Sequence, residues 1–297
     1  PAIALFIGML RMPESPRWLV EQGRDGDALA VLKTVRSEDR ALAELRQVET
    51  LREEEKAESS LSLAGILSNR WLRRIVFVGI GVSVTQQLTG INSIMYYGSR
   101  VLEESGFSET AATLANTLFG LAAVVGGIIA LYNMDRLDRR KTFFIGLFLT
   151  TTCHTLVGIA GILLPEGNPA RPWVILVLIT AFVLSMQSFL NVAVWVWLAE
   201  IFPLQIRGLA IGVAVFFGWF VNGLLALYVP SLLAALGMGT FFLFAGIGVI
   251  MLGFLWHEVP ETRNRSLETL EEELLDGSIY RSLPRRLPFA GVLYDRR

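Results

Sequence analysis

Five long stretches of this 297-residue chain contain no aspartate, glutamate, lysine or arginine. They are Ile75–Ser99, Thr110–Met134, Thr142–Pro165, Pro172–Ala199 and Gly208–His257. A helix that crosses the hydrocarbon core of a bilayer needs about 20 mostly apolar residues, and every stretch is that long. Charged residues make up only 18% of the chain, below the roughly 25% of soluble domains. The sequence therefore predicts an all-α integral membrane protein.

The fifth stretch is long enough to hold two spans. It must fold back on itself, most simply at Pro230 or at the Gly237-Met238-Gly239 turn. The apolar stub Pro1–Leu10 is too short to span and is expected to be the end of a truncated helix. Counting the fifth stretch once, we expect five whole spans plus the end of a sixth. The expected spans cover about 73–98, 111–134, 142–164, 173–201, 208–231 and 239–257.

Charged residues mark the segments on either side of the membrane bundle, which we assign to 71–257. The segment 11–70 is polar, and Leu42, Leu45, Val48 and Leu51 recur in it at helical spacing, which indicates short amphipathic helices. A charged tail follows over 258–297. Of the 26 lysines and arginines, only Arg100 and Arg171 fall on the opposite side from the linker and the tail. The positive-inside rule places the linker and the C-terminus in the cytoplasm of a multi-pass inner-membrane protein.

Several functional classes are not expected from these residues. The single cysteine gives neither a disulfide framework nor a cysteine-built metal site, and the two histidines lie about 100 residues apart. We find no nucleophile, metal cluster or acid–base pair within the spans, so neither an enzyme nor a metal or cofactor site is expected. A net charge of −1 gives no reason to expect nucleic acid as a partner.

Five short motifs occur in a fixed order along the chain. They are Arg11–Leu19 (RMPESPRWL), Gln86–Asn92 (QQLTGIN) with Tyr96-Tyr97, Asp135–Arg140 (DRLDRR), Glu200–Pro203 (EIFP) with Arg207-Gly208, and Pro260–Thr262 (PET) with Ser266–Glu268. Together they resemble the sugar porters of the major facilitator superfamily, over the C-terminal half of the fold. The resemblance implies a C-terminal six-helix bundle and is strongest to bacterial polyol and myo-inositol porters.

Amide side chains suit a neutral sugar or polyol, because each amide offers two donors and an acceptor without charge. Gln86, Gln87 and Asn92 supply three such groups within seven residues. On a straight helix Gln87 and Asn92 would lie about 140° apart at 100° per residue. We therefore expect the helix to be broken near Gly90, so that these amides face one ligand.

Further polar and aromatic residues follow in later spans. Gln187, Asn191 and Trp195 lie along one helical face, and the resemblance implies that Trp195 stacks on the sugar ring. Trp219 and Asn222 also share a face and match cavity-lining positions of the family. The expected substrate-binding set is Gln86, Gln87, Asn92, Trp195, Trp219, Asn222 and Asn191.

The resemblance also implies an ion-pair network that ties helix ends together on the cytoplasmic side. Its expected members are Glu14, Arg17, Asp135, Arg139, Arg140, Glu200, Arg207 and Glu261. The alternative is that these charges only set topology and solubility.

The chain departs from the family pattern at several positions. Asn191 and Val192 replace a Gly-Pro pair, which predicts a straighter helix. Ala123 stands where the family has an asparagine, and Asn116 could substitute only at another depth. Asp138 replaces a loop glycine, so the turn there is expected to be altered. His154, the one titratable side chain well inside a span, is expected to be a packing residue.

The predicted function is alternating-access transport or symport of a neutral sugar or polyol. The partners are that solute, the lipid bilayer and a missing N-terminal six-helix half, in which proton-coupled relatives carry the coupling carboxylate. The alternatives are a porter for another solute, such as an organic acid or drug, and a non-transporting sensor or truncated remnant.

Overall fold

The computed structural model describes residues 2–10, 12–57, 69–134, 136–203, 206–263, 270, 273–274 and 277–280. These residues form helices and connecting turns, and no strand occurs among them. The chain divides into two compact units, Pro1–Ser62 and Leu63–Arg297.

The described residues of the first unit form four helices. They are α1 (Ala2–Met9), α2 (Pro16–Glu21), α3 (Asp25–Val35) and α4 (Glu38–Ala57). The apolar residues of α2, α3 and α4 form one small core of Leu19, Val20, Ala28, Leu32, Ala41 and Leu45. Of the residues predicted to form an amphipathic face, Leu45 lies in this core and Val48 packs against it, whereas the side chain of Leu51 lies outside the described set.

The second unit is a bundle of long apolar helices. They are α5 (Arg70–Leu88), α6 (Ile91–Ser105), α7 (Glu109–Met134), α8 (Arg139–Leu163), α9 (Arg171–Ser185), a π-helical turn (Met186–Asn191), α10 (Val192–Ile201), α11 (Arg207–Leu236) and α12 (Thr240–Glu258). A single 3-10 turn, Gly237–Gly239, separates α11 from α12. The short 3-10 segment Ser278–Tyr280 follows in the tail.

Five helical stretches in the described chain are long and apolar enough to cross a membrane. They coincide with the five charge-free stretches of the sequence. The last stretch, Arg207–Glu258, divides at Gly237–Gly239, which is one of the two predicted fold-back points. The other predicted point, Pro230, lies inside α11 and does not end it. The last of these five stretches therefore contains two helices, α11 and α12.

Small residues allow these helices to approach closely. Gly218 of α11 packs against Ser83 of α5, and Gly248 of α12 packs against Thr151 of α8. In a membrane the lipid tails are as apolar as leucine, so close backbone packing of this kind is a main source of helix association. These contacts set the frame that holds the polar residues of the interior.

Candidate functional site

The helical stretch that carries Gln86, Gln87 and Asn92 is broken near Gly90, as predicted. α5 ends at Leu88, and α6 begins at Ile91 after a turn in which Gly90 has φ +76°. Glycine occupies this left-handed conformation without the steric penalty that a Cβ brings. A Cβ at Gly90 would also lie only 2.8 Å from Cε1 of Phe244 in α12, so both conformation and space require glycine here.

The break brings together two amides that a straight helix would separate. Asn92 Nδ2 donates to Gln87 Oε1 at 2.7 Å. Gln87 is buried and Asn92 is half-buried. Each amide keeps further hydrogen-bonding capacity, because one bond uses only one of three possible donor and acceptor functions per group.

A second amide chain links α5 to the π-helical turn. Gln86 Nε2 donates to Asn191 Oδ1 at 2.5 Å, and Asn191 Nδ2 donates to Gln187 Oε1 at 2.6 Å. The straighter helix predicted from the Asn191-Val192 pair is instead interrupted by the π-helical turn. Such turns occur frequently at functional sites. We refer to Gln86, Gln87, Asn92, Gln187 and Asn191 as the amide cluster.

The tryptophans of the predicted set lie at the surface of the described bundle. Trp195 is 42% exposed and Trp219 is 51% exposed, whereas Asn222 on the same helix as Trp219 is buried. No hydrogen bond or ring contact joins either tryptophan to the amide cluster among the described residues. Trp197 lies in the core, where its Nε1 donates to the Pro260 carbonyl at 3.1 Å.

Asn116 is not part of the amide cluster. Its Oδ1 is buried against Gly98 and has no hydrogen-bond partner within the described chain. The structure therefore shows no substitution of this residue for the family asparagine missing at Ala123.

A second cluster of polar residues lies at one end of the bundle, where α8 begins and α10 ends. Arg139 Nη2 contacts Glu200 Oε1 at 2.9 Å, and Arg139 also donates to the Met134 carbonyl. Thr262 Oγ1 donates to Glu200 Oε2 at 2.6 Å. We refer to Arg139, Glu200, Thr262 and Glu261 as the end cluster.

Glu261 caps the first turn of α8. Its Oε1 accepts from the Arg139 backbone N–H at 3.0 Å and its Oε2 from the Arg140 N–H at 2.9 Å. These donors belong to the helix N-terminus, which has no internal partners and attracts negative charge. Arg140 itself is buried and donates from Nη2 to the Trp256 carbonyl.

Asp138 has an ordinary backbone conformation, φ −63° and ψ 139°, although it replaces a glycine of the family pattern. The backbone at this position therefore needs no glycine. Asp138 contacts Lys141 Nζ at 2.7 Å and Arg263 Nη1 at 3.4 Å. The hydrogen bond from Lys141 is the main reason that the pKa of Asp138 lies below its usual value, with Arg263 contributing in the same direction.

The other members of the predicted ion-pair network are placed differently. Arg207 Nε donates to the Phe202 carbonyl at 3.1 Å, next to the end of α10. Glu14 is an exposed residue of the first unit. Asp135 and the side chain of Arg17 lie outside the described residues.

Sequence reasoning did not single out Thr262 or the capping role of Glu261. Thr262 belongs to the quoted Pro-Glu-Thr motif, so the motif was the available signal, but only the fold shows that the motif returns to α8 and Glu200. The hydrogen bonds of Gln187 likewise required the structure.

The helices and their apolar length define an integral, multi-pass membrane protein. Residues 1–274 match the family model described as "Sugar (and other) transporter". The chain therefore belongs to the sugar transporter family.

Two curated relatives illustrate the similarity. The chain is 46% identical over 274 residues to the protein named major myo-inositol transporter IolT of Bacillus subtilis (strain 168), covering 92% of this chain and 57% of that protein. It is 33% identical to the protein named D-xylose transporter of Levilactobacillus brevis, covering 92% of this chain and 59% of that protein. The chain thus spans somewhat more than half the length of these relatives.

The fold is also similar to a solved structure of the same superfamily. The structure described as the major facilitator superfamily proton:xylose symporter XylE bound to 6-bromo-6-deoxy-D-glucose superposes with a TM-score of 0.70. The sequence identity is 26%, and the match covers 92% of this chain and 56% of that chain. The fold is accordingly that of the C-terminal half of a major facilitator protein.

Proposed function

We propose that this chain forms one half of a carrier that moves a neutral sugar or polyol across a membrane by alternating access. The observation that carries the proposal is the amide cluster at a helix break inside a bundle whose apolar stretches carry charged residues only at their ends. The family, and relatives named as inositol and xylose transporters, support the same solute class.

The chemistry of the amide cluster fits a hydroxyl-rich neutral solute. A buried hydroxyl without a partner is costly, so each hydroxyl must find a donor or acceptor in the site. Within the described residues, Nε2 of Gln87 and Nε2 of Gln187 have no hydrogen-bond partner and could donate to substrate oxygens. An anionic substrate would instead favour Arg or Lys in the interior of the spans, and the five charge-free stretches contain neither.

Trp195 and Trp219 are proposed to supply the apolar surface of the site. The C–H face of a sugar ring is apolar, and an indole offers a large flat face for it. Their exposure on the described bundle leaves both indoles open to contact a ligand or another part of a larger carrier. Asn222, which is buried on α11, would add a further amide.

The end cluster is proposed to act as a gate. Glu200 joins α10 to the start of α8 through Arg139 and to the tail through Thr262, so one carboxylate connects three segments. Ion pairs of this kind are each worth about 0–1 kcal/mol when exposed. A transporter that alternates between two states needs a bias of only a few kcal/mol, which such a cluster can supply.

The complete pathway requires a second six-helix half, because alternating access works by the movement of two repeats around a central site. We propose that the bundle lies in the inner membrane of a bacterial cell with the linker and tail in the cytoplasm, as the distribution of arginine and lysine favours.

Counterflow in proteoliposomes tests this proposal. The carrier encoded by the complete reading frame around this chain is reconstituted, and exchange of labelled myo-inositol, glucose and xylose is measured with and without a pH gradient. Saturable exchange that Gln87→Ala lowers at least about tenfold is expected, because a buried donor and acceptor pair is lost. Thr113→Ala, on the exposed start of α7, serves as the matched control. A folded carrier that exchanges none of these solutes would contradict the proposal.

A further inference from the structure

The helix break leaves backbone carbonyl groups without a helical partner, and one of them has found a partner in another helix. The Thr89 carbonyl oxygen lies 2.9 Å from Nε2 of His154, in the middle of α8. A carbonyl oxygen can only accept a hydrogen bond, so the imidazole carries its proton on Nε2 and donates it. A buried orphan carbonyl of a helix end is satisfied in this way.

His154 is buried among aromatic side chains. It is 3% exposed. Its ring centroid lies 4.4 Å from that of Phe182, 5.4 Å from Phe244 and 5.7 Å from Phe241. These apolar neighbours leave the imidazole N–H in need of a partner, because an unsatisfied buried donor is costly. Among the described residues, the Thr89 carbonyl is that partner.

The same contacts converge on the turn itself. The Phe244 ring that stacks on His154 also lies directly against Gly90. Thr89 Oγ1 donates to the Gln86 carbonyl at 2.6 Å, and the Gly90 N–H donates to the Gln87 carbonyl at 2.9 Å. A displacement of Thr89 would therefore move the backbone of both glutamines.

We infer that His154 is a positioning residue of the substrate site. Its hydrogen bond to Thr89 fixes the path of the chain through the helix break, and so sets the direction in which Gln86 and Gln87 point relative to Asn92. The sugar or polyol contact is made by the amides, not by the imidazole. The expected effect on substrate binding rests on the proposed function, whereas the expected effect on the path of the backbone through the helix break does not.

Three variants separate this role from simple packing. His154→Leu removes the donor, and His154→Gln keeps an amide N–H near the place of Nε2. Thr150→Val is the matched control, because Thr150 is buried on the same helix but its hydroxyl, within the described part of the chain, bonds only to the Leu147 carbonyl of that helix. His154→Phe, which keeps an aromatic ring of similar size, replaces His154→Leu if that variant does not fold.

Two measurements are made on the complete carrier. Hydrogen exchange of peptides that cover 85–95 reports the break itself, and the Kd for myo-inositol reports the site. His154→Leu is expected to raise exchange at residues 89–91 and weaken binding, each by about tenfold. His154→Gln should restore both values to within about threefold of wild type, and Thr150→Val should leave both within about twofold.

Equal exchange in His154→Leu and wild type would overturn the inference, as would His154→Gln behaving like His154→Leu in both measurements. If wild-type carrier binds no sugar or polyol, the proposed function fails. Faster exchange in His154→Leu with recovery in His154→Gln would still support the positioning of the break.

Discussion

The turn at Gly90 offers the sharpest test of the site, because two separate costs of a methyl group can be worked out there. Gly90 has φ +76°, a left-handed conformation that costs an L-residue about 1–2 kcal/mol. The Cβ of Gly90→Ala would also lie 2.8 Å from Cε1 of Phe244, so that ring must shift. We therefore expect the substitution to destabilise the bundle.

Gly246→Ala is the matched control. Gly246 also lies within the bundle, in α12, but a Cβ there meets open space and the backbone is helical. Alanine in a helix is favoured over glycine by about 0.5–1 kcal/mol. The two variants should thus differ by about 1.5–3 kcal/mol, which is about 10- to 150-fold in the unfolding equilibrium.

Unfolding in mixed micelles with increasing SDS, followed by circular dichroism, measures this difference. The Kd for myo-inositol should rise in Gly90→Ala and stay near the wild-type value in Gly246→Ala. A Gly90→Ala protein within about 0.5 kcal/mol of Gly246→Ala, well below the left-handed penalty, would refute the argument that this turn requires glycine.

Three further predictions concern the remaining polar and aromatic residues. Glu200→Gln should slow counterflow while the Kd for substrate stays within about threefold of wild type, since the carboxylate links helices and, among the described residues, has no hydrogen bond to the amide cluster. The control is Glu104→Gln, which removes an exposed ion pair and should change neither the rate nor the Kd. Trp197→Ala should lower the unfolding free energy by about 3–5 kcal/mol, whereas Trp195→Ala should weaken sugar binding at nearly unchanged stability. Equal unfolding free energies of the two variants would contradict the burial of Trp197 and the exposure of Trp195. Asp138→Asn should lower the free energy of unfolding by up to about 1 kcal/mol at pH 7, as measured by denaturation curves. Because the pKa of Asp138 is lowered in the folded protein, this difference should persist on acidification and be lost only as the pH falls through that pKa, below 3.8.

The spans and their break could be predicted from the sequence because the bilayer imposes strong rules. Backbone groups in hydrocarbon must be satisfied within a helix, so a charge-free stretch of sufficient length has few alternatives to a helix. The turn at Gly237–Gly239 followed from the length of the fifth stretch, and the turn at Gly90 followed from the angular mismatch between Gln87 and Asn92. Both arguments use only local geometry.

The parts that could not be predicted depend on contacts between distant segments. The π-helical turn at Met186–Asn191 places Asn191 between Gln86 and Gln187. No pattern in the local sequence predicts a π-helical turn at this point of the helix. Likewise, Glu261 caps α8 from more than 120 residues away. Histidine in an apolar span was expected to pack, and only the fold shows that its N–H meets the Thr89 carbonyl.

The pairing of amides within the cluster has an energetic consequence for a carrier. Asn92 bonds to Gln87, and Asn191 bonds to both Gln86 and Gln187, so part of the hydrogen-bonding capacity of these amides is already used within the cluster. A substrate hydroxyl that bonds one of the paired atoms has to replace an amide–amide hydrogen bond, and a net hydrogen bond contributes only about 0.5–1.5 kcal/mol. Binding through this cluster should therefore be moderate in strength, which permits release on the far side of the membrane. A variant that removes the acceptor of one pair, Gln187→Leu, would leave Asn191 free to bond the substrate, and we expect it to retain substrate longer while turning over more slowly.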